Sequence, residues 1–322
     1  MTSPALEIQR ITKQFKGPVV LSELSFTMEK GQILSVVGPS GSGKTTLLRV
    51  LAGLEKPTSG TILMNGQDIT RQKANQRDIS LVFQQPLLFP HMTVEENITY
   101  GAKVSKKYTP EKIEQLLAAI GMTDYRSHFP SQISGGQQQR TALARAMATE
   151  PEVILFDEPF SSLDPHLRQD LRYWVRDFLV KRNTTALFVT HDLEEAMIMG
   201  DRIALFQDGA FQQIGDADTL HDYPANIHVA SFMGGHFIID DRTYVPLKHV
   251  RFHSSEKEED SLTFQGRVEH ITYNHGHPIA HIELPELEKK LAIPLQDRSL
   301  IETDVLLYVN KADVRTFQAG IK

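Results

Sequence analysis

One stretch constrains what this chain can fold into more than any other feature, the octapeptide Gly38-Pro39-Ser40-Gly41-Ser42-Gly43-Lys44-Thr45. It fills every fixed position of the pattern G-x-x-x-x-G-K-[ST], which indicates a phosphate-binding loop when a strand precedes it and a helix follows. An apolar run at residues 33–37 predicts the strand, and the apolar spacing over residues 47–54, Leu54 included, predicts the helix. A glycine-rich turn without a function would require neither flank.

The residue types of the octapeptide suit a bound phosphate. Glycines let backbone N–H groups converge on phosphate oxygens, because no Cβ stands in the way. The N-terminus of the following helix adds free N–H donors and a partial positive charge. Lys44 can reach the β- and γ-phosphates, and the Thr45 hydroxyl can bind Mg²⁺.

Length and composition limit the class of protein. A length of 322 residues predicts about two domains, and a hydrophobic content of 40% is ordinary for a globular chain with a sizeable core. The net charge of −6 argues against a protein held to nucleic acid mainly by charge. The absence of cysteine excludes disulfides and thiolate catalysis. We see no signal peptide and no apolar stretch long enough to span a bilayer, so we expect any membrane role to need a partner.

The N-terminal part of the chain predicts a small antiparallel sheet. Residues 6–30 alternate imperfectly between apolar and polar side chains, and Asn65-Gly66 favours a type I′ turn in a further hairpin. Phe15 lies between these strands, and from its position alone core packing is the better interpretation. Residues 110–120 predict a helix.

Two successive glycines mark a second candidate anion site, within Ser134-Gly135-Gly136-Gln137. A helical pattern follows over residues 138–149, and Ser134 is a good N-cap type. A simple helix cap would account for the serine but not for both glycines. A second backbone approach to an anion accounts for all three residues.

Two carboxylates, Asp157 and Glu158, end the hydrophobic run at residues 153–156. The carboxyl ends of parallel strands face the ligand crevice, so the first acid can hold Mg²⁺ and the second can orient or activate water. A further apolar strand at residues 186–190 ends at His191. A lone histidine is usually structural, but this one stands where active-site residues gather.

Apolar strands that alternate with helices predict an α/β fold with a mainly parallel sheet. The pattern weakens near residue 235, where we place a boundary between domains 1–235 and 236–322, and we expect the first to bind ATP without the second. A small β-domain, for which a barrel is one arrangement, is predicted after the boundary. Its predicted strands are Leu262–Val268, Ile279–Leu284 and Val305–Val309. His275, His277 and His281 raise the possibility of a metal site, for which surface histidines are the better account.

Together these motifs resemble those of the nucleotide-binding subunit of an ATP-binding-cassette (ABC) transporter, a P-loop NTPase, over roughly residues 5–235. Gly38–Thr45 resembles its Walker A motif, and Val153–Glu158 resembles Walker B with the catalytic glutamate. Ser134–Gln137 resembles the family signature, with Ile133 where leucine is commoner. The resemblance also implies a helical subdomain at about residues 86–150.

The shorter family motifs also have counterparts. Gln84 resembles the Q-loop, Ser161–Asp164 the D-loop and His191 the H-loop, while Phe15 falls where the family places an aromatic that stacks on adenine. The stretch at residues 83–94 is similar to importers of iron, polyamines, sulfate, molybdate or sugars. Such subunits often carry an OB-like C-terminal domain, to which Gly266–Glu269 and Asp304–Phe317 look similar.

The resemblance implies ATP hydrolysis with Mg²⁺ at a site shared by two protomers. Glu158 should position or deprotonate the attacking water, His191 should hold the γ-phosphate, and Gln84 should sense the nucleotide. Thr45, Gln84 and Asp157 are the implied Mg²⁺ ligands. The implied nucleotide contacts are Phe15, Gly38, Pro39, Ser40, Gly41, Ser42, Gly43, Lys44, Thr45 and Thr46 of one protomer, with Ser134, Gly135, Gly136 and Gln137 of the other and Asp164 between them.

The implied assembly is a homodimer on two integral-membrane permease subunits, at the cytoplasmic face of the membrane, with an extracytoplasmic solute-binding protein and no nucleic acid. The apolar residues Leu87–Phe89 suit a groove for a permease helix. Ferric iron or another inorganic ion, or a polyamine, is the expected cargo. A soluble ABC ATPase acting on DNA or ribosomes would need a coiled-coil insertion, tandem cassettes or a basic face. A small-molecule P-loop kinase would leave Ser134–Gln137 and His191 unexplained.

Overall fold

The structure, a computed structural model, describes residues 3–161, 163, 165–252, 260–274, 276–295 and 304–317. Asp164 and His275, both named above, lie outside the described residues. The chain divides into two compact units, Met1–Asp216 and Ala217–Lys322. Within the described ranges, no helix is both long and apolar enough to cross a membrane.

The first unit has an α/β architecture. Its elements, in chain order, are β1 (Leu6–Gln14), β2 (Val19–Met28), β3 (Ile33–Val37), α1 (Lys44–Leu51), β4 (Ser59–Met64), β5 (Gln67–Asp68), β6 (Ile79–Val82), α2 (Val94–Val104), α3 (Pro110–Ala119), α4 (Gly135–Met147), β7 (Val153–Asp157), α5 (Pro165–Lys181), β8 (Thr185–Thr190), α6 (Leu193–Met199), β9 (Arg202–Gln207) and β10 (Ala210–Gly215).

A six-stranded sheet in the order β10-β9-β3-β8-β7-β6 forms the centre of this unit. Its strands are parallel except for β10, which runs antiparallel to β9. Strands β3 and β8 are buried along their whole length, as a parallel sheet covered on both faces requires. The predicted α/β core is therefore confirmed, and the strand ends that carry the predicted site share one edge.

Helix α1 packs its apolar face into the core, with Leu47, Leu48, Val50 and Leu51 fully buried. Leu54 was expected on the same face, and this is wrong: its exposed fraction is 52%. The helix ends at Leu51, and Gly53 adopts a φ of 75°, so the chain turns away before Leu54.

The predicted small antiparallel sheet is present, in the order β2-β1-β4-β5. Asn65 and Gly66 both have positive φ, 47° and 78°, as the predicted type I′ turn requires. Helices α2, α3 and α4 form the helical part of the unit, and α3 matches the helix predicted for residues 110–120. Thr93 and Ser134 begin α2 and α4 with capping boxes.

The second unit begins with two short helices and continues as β-structure. Its elements are α7 (Ala217–Asp222), α8 (Ile227–Met233), β11 (His236–Ile238), β12 (Thr243–Pro246), β13 (Ser261–Asn274), β14 (His277–Leu284), β15 (Lys289–Pro294), β16 (Asp304–Asn310) and β17 (Arg315–Thr316). These strands form two antiparallel sheets, β11-β12-β17 and β15-β14-β13-β16. Because no ladder between described residues closes β15 onto β16, the small β-domain is present while the closed barrel stays a prediction.

The units divide earlier in the chain than the boundary predicted near residue 235. The reason is that α7 packs on the start of β11: the backbone carbonyl of His221 hydrogen-bonds with Nε2 of His236 at 2.7 Å, and the two rings lie 5.1 Å apart. The composition changes only where the strands begin, so the sequence did not reveal that α7 and α8 belong with them.

Candidate active site

Residues 38–43 of the octapeptide form the loop between β3 and α1, and the glycines are needed for its shape. Gly43 has a φ of 109°, in a region that L-residues rarely adopt, and Gly41 has a φ of 80°. At Gly38, a Cβ atom would lie 1.9 Å from the backbone oxygen of Phe206 in β9. The loop thus packs directly against the sheet, and its backbone suits the concave N–H arrangement that binds phosphate.

Lys44 begins α1 and lies under this loop. Only 4% of the residue is exposed, and its Nζ donates hydrogen bonds of 2.8 Å to the backbone oxygens of Gly38 and Pro39. Burial lowers the pKa of Lys44, while the charges of Glu158 and Asp157 oppose that shift. The loop therefore holds one cation close to two carboxylates.

Thr45 and Asp157 are 112 positions apart in sequence and meet at the sheet edge. The Thr45 hydroxyl donates to Oδ1 of Asp157 at 3.1 Å. Burial raises the pKa of Asp157 most strongly, the Thr45 hydrogen bond lowers it, and the charge of Glu158 raises it further. A hydroxyl and a carboxylate are the hard oxygen donors that Mg²⁺ prefers, so this pair fits the predicted metal position.

Glu158 and His191 form the second pair at this edge. Oε2 of Glu158 lies 3.0 Å from Nδ1 of His191. The Glu158 N–H donates to the backbone oxygen of Val189 at 2.9 Å, and its φ of 45° is uncommon for a residue with a side chain. This backbone turn brings the carboxylate to the imidazole, which makes a pair suited to proton transfer.

Gln84 does not contact the Thr45–Asp157 pair in this structure. Its Nε2 donates to Oγ of Ser161 at 2.9 Å, and that hydroxyl donates to the backbone oxygen of Glu158, also at 2.9 Å. Gln84 is thereby linked to Glu158 through one hydroxyl. The assignment of Gln84 as a Mg²⁺ ligand stays a prediction.

Ser134 is the N-cap of α4. Its Oγ accepts from the Gln137 N–H at 3.3 Å, and Oε1 of Gln137 accepts from the Ser134 N–H at 2.8 Å. The cap explains Ser134, as the simpler interpretation proposed, and it explains Gln137 as well. It does not explain Gly135, which is exposed and where a Cβ would lie 3.8 Å from Leu163, an ordinary contact distance.

Phe15 is not a core residue, contrary to the expectation from its position. Its exposed fraction is 47%, and Nζ of Lys13 lies 4.6 Å from the ring centroid. Strands β1 and β2, which precede and follow Phe15 in the chain, bury other apolar side chains in the core. An exposed ring of this kind is open to stacking on another aromatic group.

In the loop at Leu87–Phe89, the first and last residues border a cavity of about 340 Å³. Arg145 of α4 donates to the backbone oxygens of Leu87 and Pro86 at 2.9 and 3.1 Å. The buried amide of Asn97 accepts from the Phe89 N–H at 2.8 Å and donates to the Phe89 oxygen at 3.2 Å. Sequence reasoning missed Arg145 and Asn97, although a polar side chain on the inner face of a helix was a usable signal for Asn97.

A buried ion-pair cluster, also missed from the sequence, lies beside His191. Nη2 of Arg172 in α5 lies 2.6 Å from Oδ2 of Asp192 and 3.3 Å from Oε2 of Glu195. Burial raises the pKa of Glu195 to about 7, with the guanidinium of Arg172 opposing the shift. Hydrogen bonding to the Glu195 N–H and to Arg172 helps to hold the pKa of Asp192 below its usual value, against the effect of burial.

The raised pKa of Glu195 makes the stability of the first unit depend on pH. Between pH 4.5 and 7 the folded chain holds a proton that the unfolded chain has released, so the free energy of unfolding falls as the pH rises. Across this window, the free energy of unfolding of the native chain should fall by about 3 kcal/mol relative to that of Glu195→Gln. Urea titrations at pH 5 and 8 measure the difference, and Glu194→Gln, at an exposed neighbour, should retain the native slope. Parallel pH curves for the native chain and Glu195→Gln would contradict the assignment.

His277 and His281 lie on β14. His281 hydrogen-bonds through Nε2 with Oγ1 of Thr272 at 2.8 Å, and its ring stacks on His270 at 4.3 Å. Across the part of the chain that the structure describes, no three His, Asp or Glu side chains are grouped to hold a metal ion.

Comparison with known proteins agrees with this geometry. The profile of the family described as "ABC transporter" matches residues 21–161. The chain is 45% identical over 230 residues to a probable sulfate/thiosulfate import ATP-binding protein CysA of Chlorella vulgaris, covering 70% of this chain and 98% of that protein. It is 36% identical to the CysA protein of Synechococcus elongatus, over 97% and 96% of the two chains. It is 43% identical to the Fe(3+) ions import ATP-binding protein FbpC of Escherichia coli O157:H7, over 71% and 67%.

Solved structures also resemble the chain. A dimeric ATP-binding cassette in a post-hydrolysis state with ADP and Pi superposes with a TM-score of 0.57 at 29% identity, over 66% of this chain and 98% of that one. The cbiO1 protein of Clostridium perfringens, part of the ABC transporter complex cbiONQ, gives a TM-score of 0.62 over 68% and 90%. At 24% identity, the second comparison supports the fold alone.

Proposed function

Since the chain belongs to the ABC transporter family, as an ATP-binding and ATP-hydrolysing subunit of an importer, we propose that it drives the uptake of an inorganic ion through partner permease subunits. The observation that carries the proposal is the set of groups at one edge of the parallel sheet. There the phosphate-type loop with Lys44 adjoins the Thr45–Asp157 pair and the Glu158–His191 pair. These are the groups that phosphoryl transfer to water requires.

In the proposed mechanism the loop N–H groups and Lys44 hold the β- and γ-phosphates of ATP. Mg²⁺ bound by Thr45 and Asp157 would neutralise negative charge that develops on the phosphates. Glu158 accepts a proton from the attacking water through its carboxylate, while His191 holds one carboxylate oxygen in place at 3.0 Å. Phe15, with its exposed ring, stacks on the adenine.

The proposed site is completed by a second copy of the chain. Gly135 is exposed at the start of α4, and its own chain does not require a glycine there, which favours a close approach by a ligand from outside. In the same proposal Ser134, Gly136 and Gln137 of the second copy contact the γ-phosphate, and Asp164, outside the described residues, links the two copies.

On the membrane side, the proposed partner is a permease helix that binds the apolar groove at Leu87–Phe89. Arg145 and Asn97 fix the backbone of this loop, and Leu87 leaves 54% of its surface exposed. Such a groove suits an amphipathic helix. The subunit would then lie at the cytoplasmic face of the membrane, with an extracytoplasmic solute-binding protein delivering the cargo.

The relatives are named for the import of sulfate, thiosulfate and Fe(3+), which favours an inorganic ion over a polyamine as cargo. Uptake of labelled sulfate, ferric iron and spermidine, compared in cells with and without the chain, tests this choice. Loss of sulfate or iron uptake, restored by the native chain but not by Glu158→Gln, is the expected result. Loss of spermidine uptake alone would overturn the assignment to inorganic ions.

We expect Met1–Asp216 to fold and to bind ATP without the second unit, because every described nucleotide-site residue lies within it. The longer fragment 1–235 should also bind ATP but should be less soluble, because Val229, Ala230 and Met233 of α8 are buried in the full chain. Removing the second unit should alter regulation or dimer stability. Circular dichroism and titration with a fluorescent ATP analogue measure both fragments, and a folded 1–216 fragment without ATP affinity would contradict the proposal.

A further inference from the structure

Helices α5 and α6 are joined by two arginines, one helical turn apart, that contact opposite ends of α6. Arg172 reaches the N-terminal end, at Asp192 and Glu195, as described above. Arg176 reaches the C-terminal end, where its guanidinium donates to the backbone oxygen of Met199 and, at 2.8 Å, to Oδ1 of Asp201. The short helix is therefore fixed at both ends by the same neighbouring helix.

The contact at the N-terminal end is buried and charged. The side chains of Arg172 and Glu195 are only 4% and 5% exposed, and that of Asp192 is 30% exposed. One buried guanidinium therefore faces a buried carboxylate and a partly exposed one, with Glu194 at 3.8 Å and largely exposed. Without the guanidinium, the Asp192 and Glu195 carboxyl groups would face each other with no cation between them, which disfavours the native arrangement.

Asp192 connects this cluster to His191. Its N–H donates to Oγ1 of Thr190 at 3.0 Å, and its Oδ1 accepts from the Glu195 N–H at 3.1 Å, which caps α6. Its other oxygen, Oδ2, accepts from Arg172 at 2.6 Å. His191 thus lies between the end of the buried strand β8 and Asp192, whose N–H and two carboxylate oxygens are all hydrogen-bonded. The side chain of His191 itself is half exposed.

We propose that Arg172 is a positioning residue for ATP hydrolysis: it fixes Asp192, and thereby the backbone that directs His191 towards Glu158. This inference rests on the proposed roles of Glu158 and His191. The 3.0 Å contact between those two side chains depends on the His191 backbone, because the imidazole is too exposed to be held by packing. ATP binding at the loop of Lys44 does not depend on Arg172, so its loss should affect turnover and not affinity.

The first test compares Arg172→Gln, Arg172→Lys and the matched control Arg176→Gln in the full chain. Misplacement of a reacting group by about 1 Å can cost on the order of 100-fold in rate. We expect kcat for ATP to fall by about 10- to 100-fold in Arg172→Gln, with KM changed less than about threefold. Arg172→Lys should recover part of the rate, because an ammonium can still hold Asp192 but not both carboxylates.

Arg176→Gln loosens the same pair of helices without touching Asp192, so its kcat should remain within about threefold of the native value. Equal losses of kcat in Arg172→Gln and Arg176→Gln would show that Arg172 acts only through general stability. A large rise in KM for ATP in Arg172→Gln would show that Arg172 acts on ATP binding rather than on turnover. Either result overturns the inference.

A double-mutant cycle with His191→Ala gives the sharper test. If Arg172 acts through His191, Arg172→Gln should lower kcat in the native background but by less than about twofold in His191→Ala. Independent, multiplicative losses would overturn the positioning role. A normal kcat in His191→Ala alone would instead refute the proposed role of His191, so the two failures are distinguishable. If Arg172→Gln does not fold, the same cycle is run with Arg172→Lys.

Discussion

Glu158→Gln should bind ATP with near-native affinity and hydrolyse it on the order of 10²–10⁴-fold more slowly. Gln keeps the shape of the side chain and its contact distance to His191, but it cannot accept the proton of the attacking water. The hydrogen bonds of Lys44 to the loop that is proposed to hold the phosphates do not involve Glu158. Single-turnover hydrolysis and titration with a fluorescent ATP analogue separate the two effects.

The matched control is Glu152→Gln, the same substitution just before the other end of β7. Glu152 lies 3.5 Å from Lys30 and touches none of the proposed nucleotide groups. Its hydrolysis rate should stay within about twofold of the native rate, because the Glu152–Lys30 ion pair is a weak contact outside the proposed site. Equal rates for Glu158→Gln and the native chain would refute the role of Glu158 as the general base.

Slow hydrolysis should also reveal the shared site. ATP that bridges two copies stabilises their association for as long as it remains intact. Glu158→Gln should therefore be monomeric or weakly associated without nucleotide and dimeric with Mg-ATP, as measured by light scattering. Adding Ser134→Arg should abolish this dimer, because an arginine at the start of α4 fills the proposed contact with bulk and positive charge. A mass for Glu158→Gln that does not respond to ATP at high protein concentration would refute the shared-site mechanism.

The second large effect is expected at the proposed permease groove. Leu88→Asp or Phe89→Asp should abolish uptake and leave basal ATP hydrolysis within about twofold. An unpaired carboxylate buried in an interface costs several kcal/mol, which corresponds to a loss of permease affinity of about 100-fold or more. Phe89 also packs on Tyr100 at 4.8 Å, so Leu87→Asp is the cleaner third variant.

Leu54→Asp is the matched control for the groove variants. Leu54 and Leu87 are 52% and 54% exposed, so the same substitution changes the same residue type at equal exposure. Leu54 lies beyond the end of α1 and does not border the groove. Transport assays and co-purification with the permease should show a loss for the groove variants alone. Normal uptake by both Leu88→Asp and Phe89→Asp would remove the docking assignment.

The site could be predicted from sequence wherever a local motif combined with a general rule about parallel sheets. Thr45 and Asp157 are far apart in the chain, yet each adjoins the carboxyl end of a parallel strand, and the structure places them 3.1 Å apart. Arg172 could not be found in this way. Its contact with Asp192 depends on how two helices rotate against each other, and that rotation is set by packing rather than by either helix sequence.

Strand lengths in the second unit show the same limit. The sequence predicted a strand at Leu262–Val268, but β13 extends to Asn274. Its first half pairs with β16, from Ser261 to Arg267, and its second half pairs with β14, from Arg267 to Asn274. The second half of β13 is largely polar and exposed, so it carries little of the apolar pattern by which strands are predicted. Its pairing with β14 is what makes these residues a strand.

The hydrogen bonds that hold the groove loop have a consequence for how quickly the importer could assemble. Fixing the backbone of a free residue costs about 1–2 kcal/mol of conformational entropy. Asn97 also donates to the backbone oxygens of Met92 and Thr93, both at 3.0 Å, so with Arg145 it restrains the chain from Pro86 to Thr93. This entropy is lost when the subunit folds and not when a partner arrives. Association with the permease should then be governed by diffusional encounter, without a slow folding step of the loop, and the complex should form with little structural rearrangement on this side.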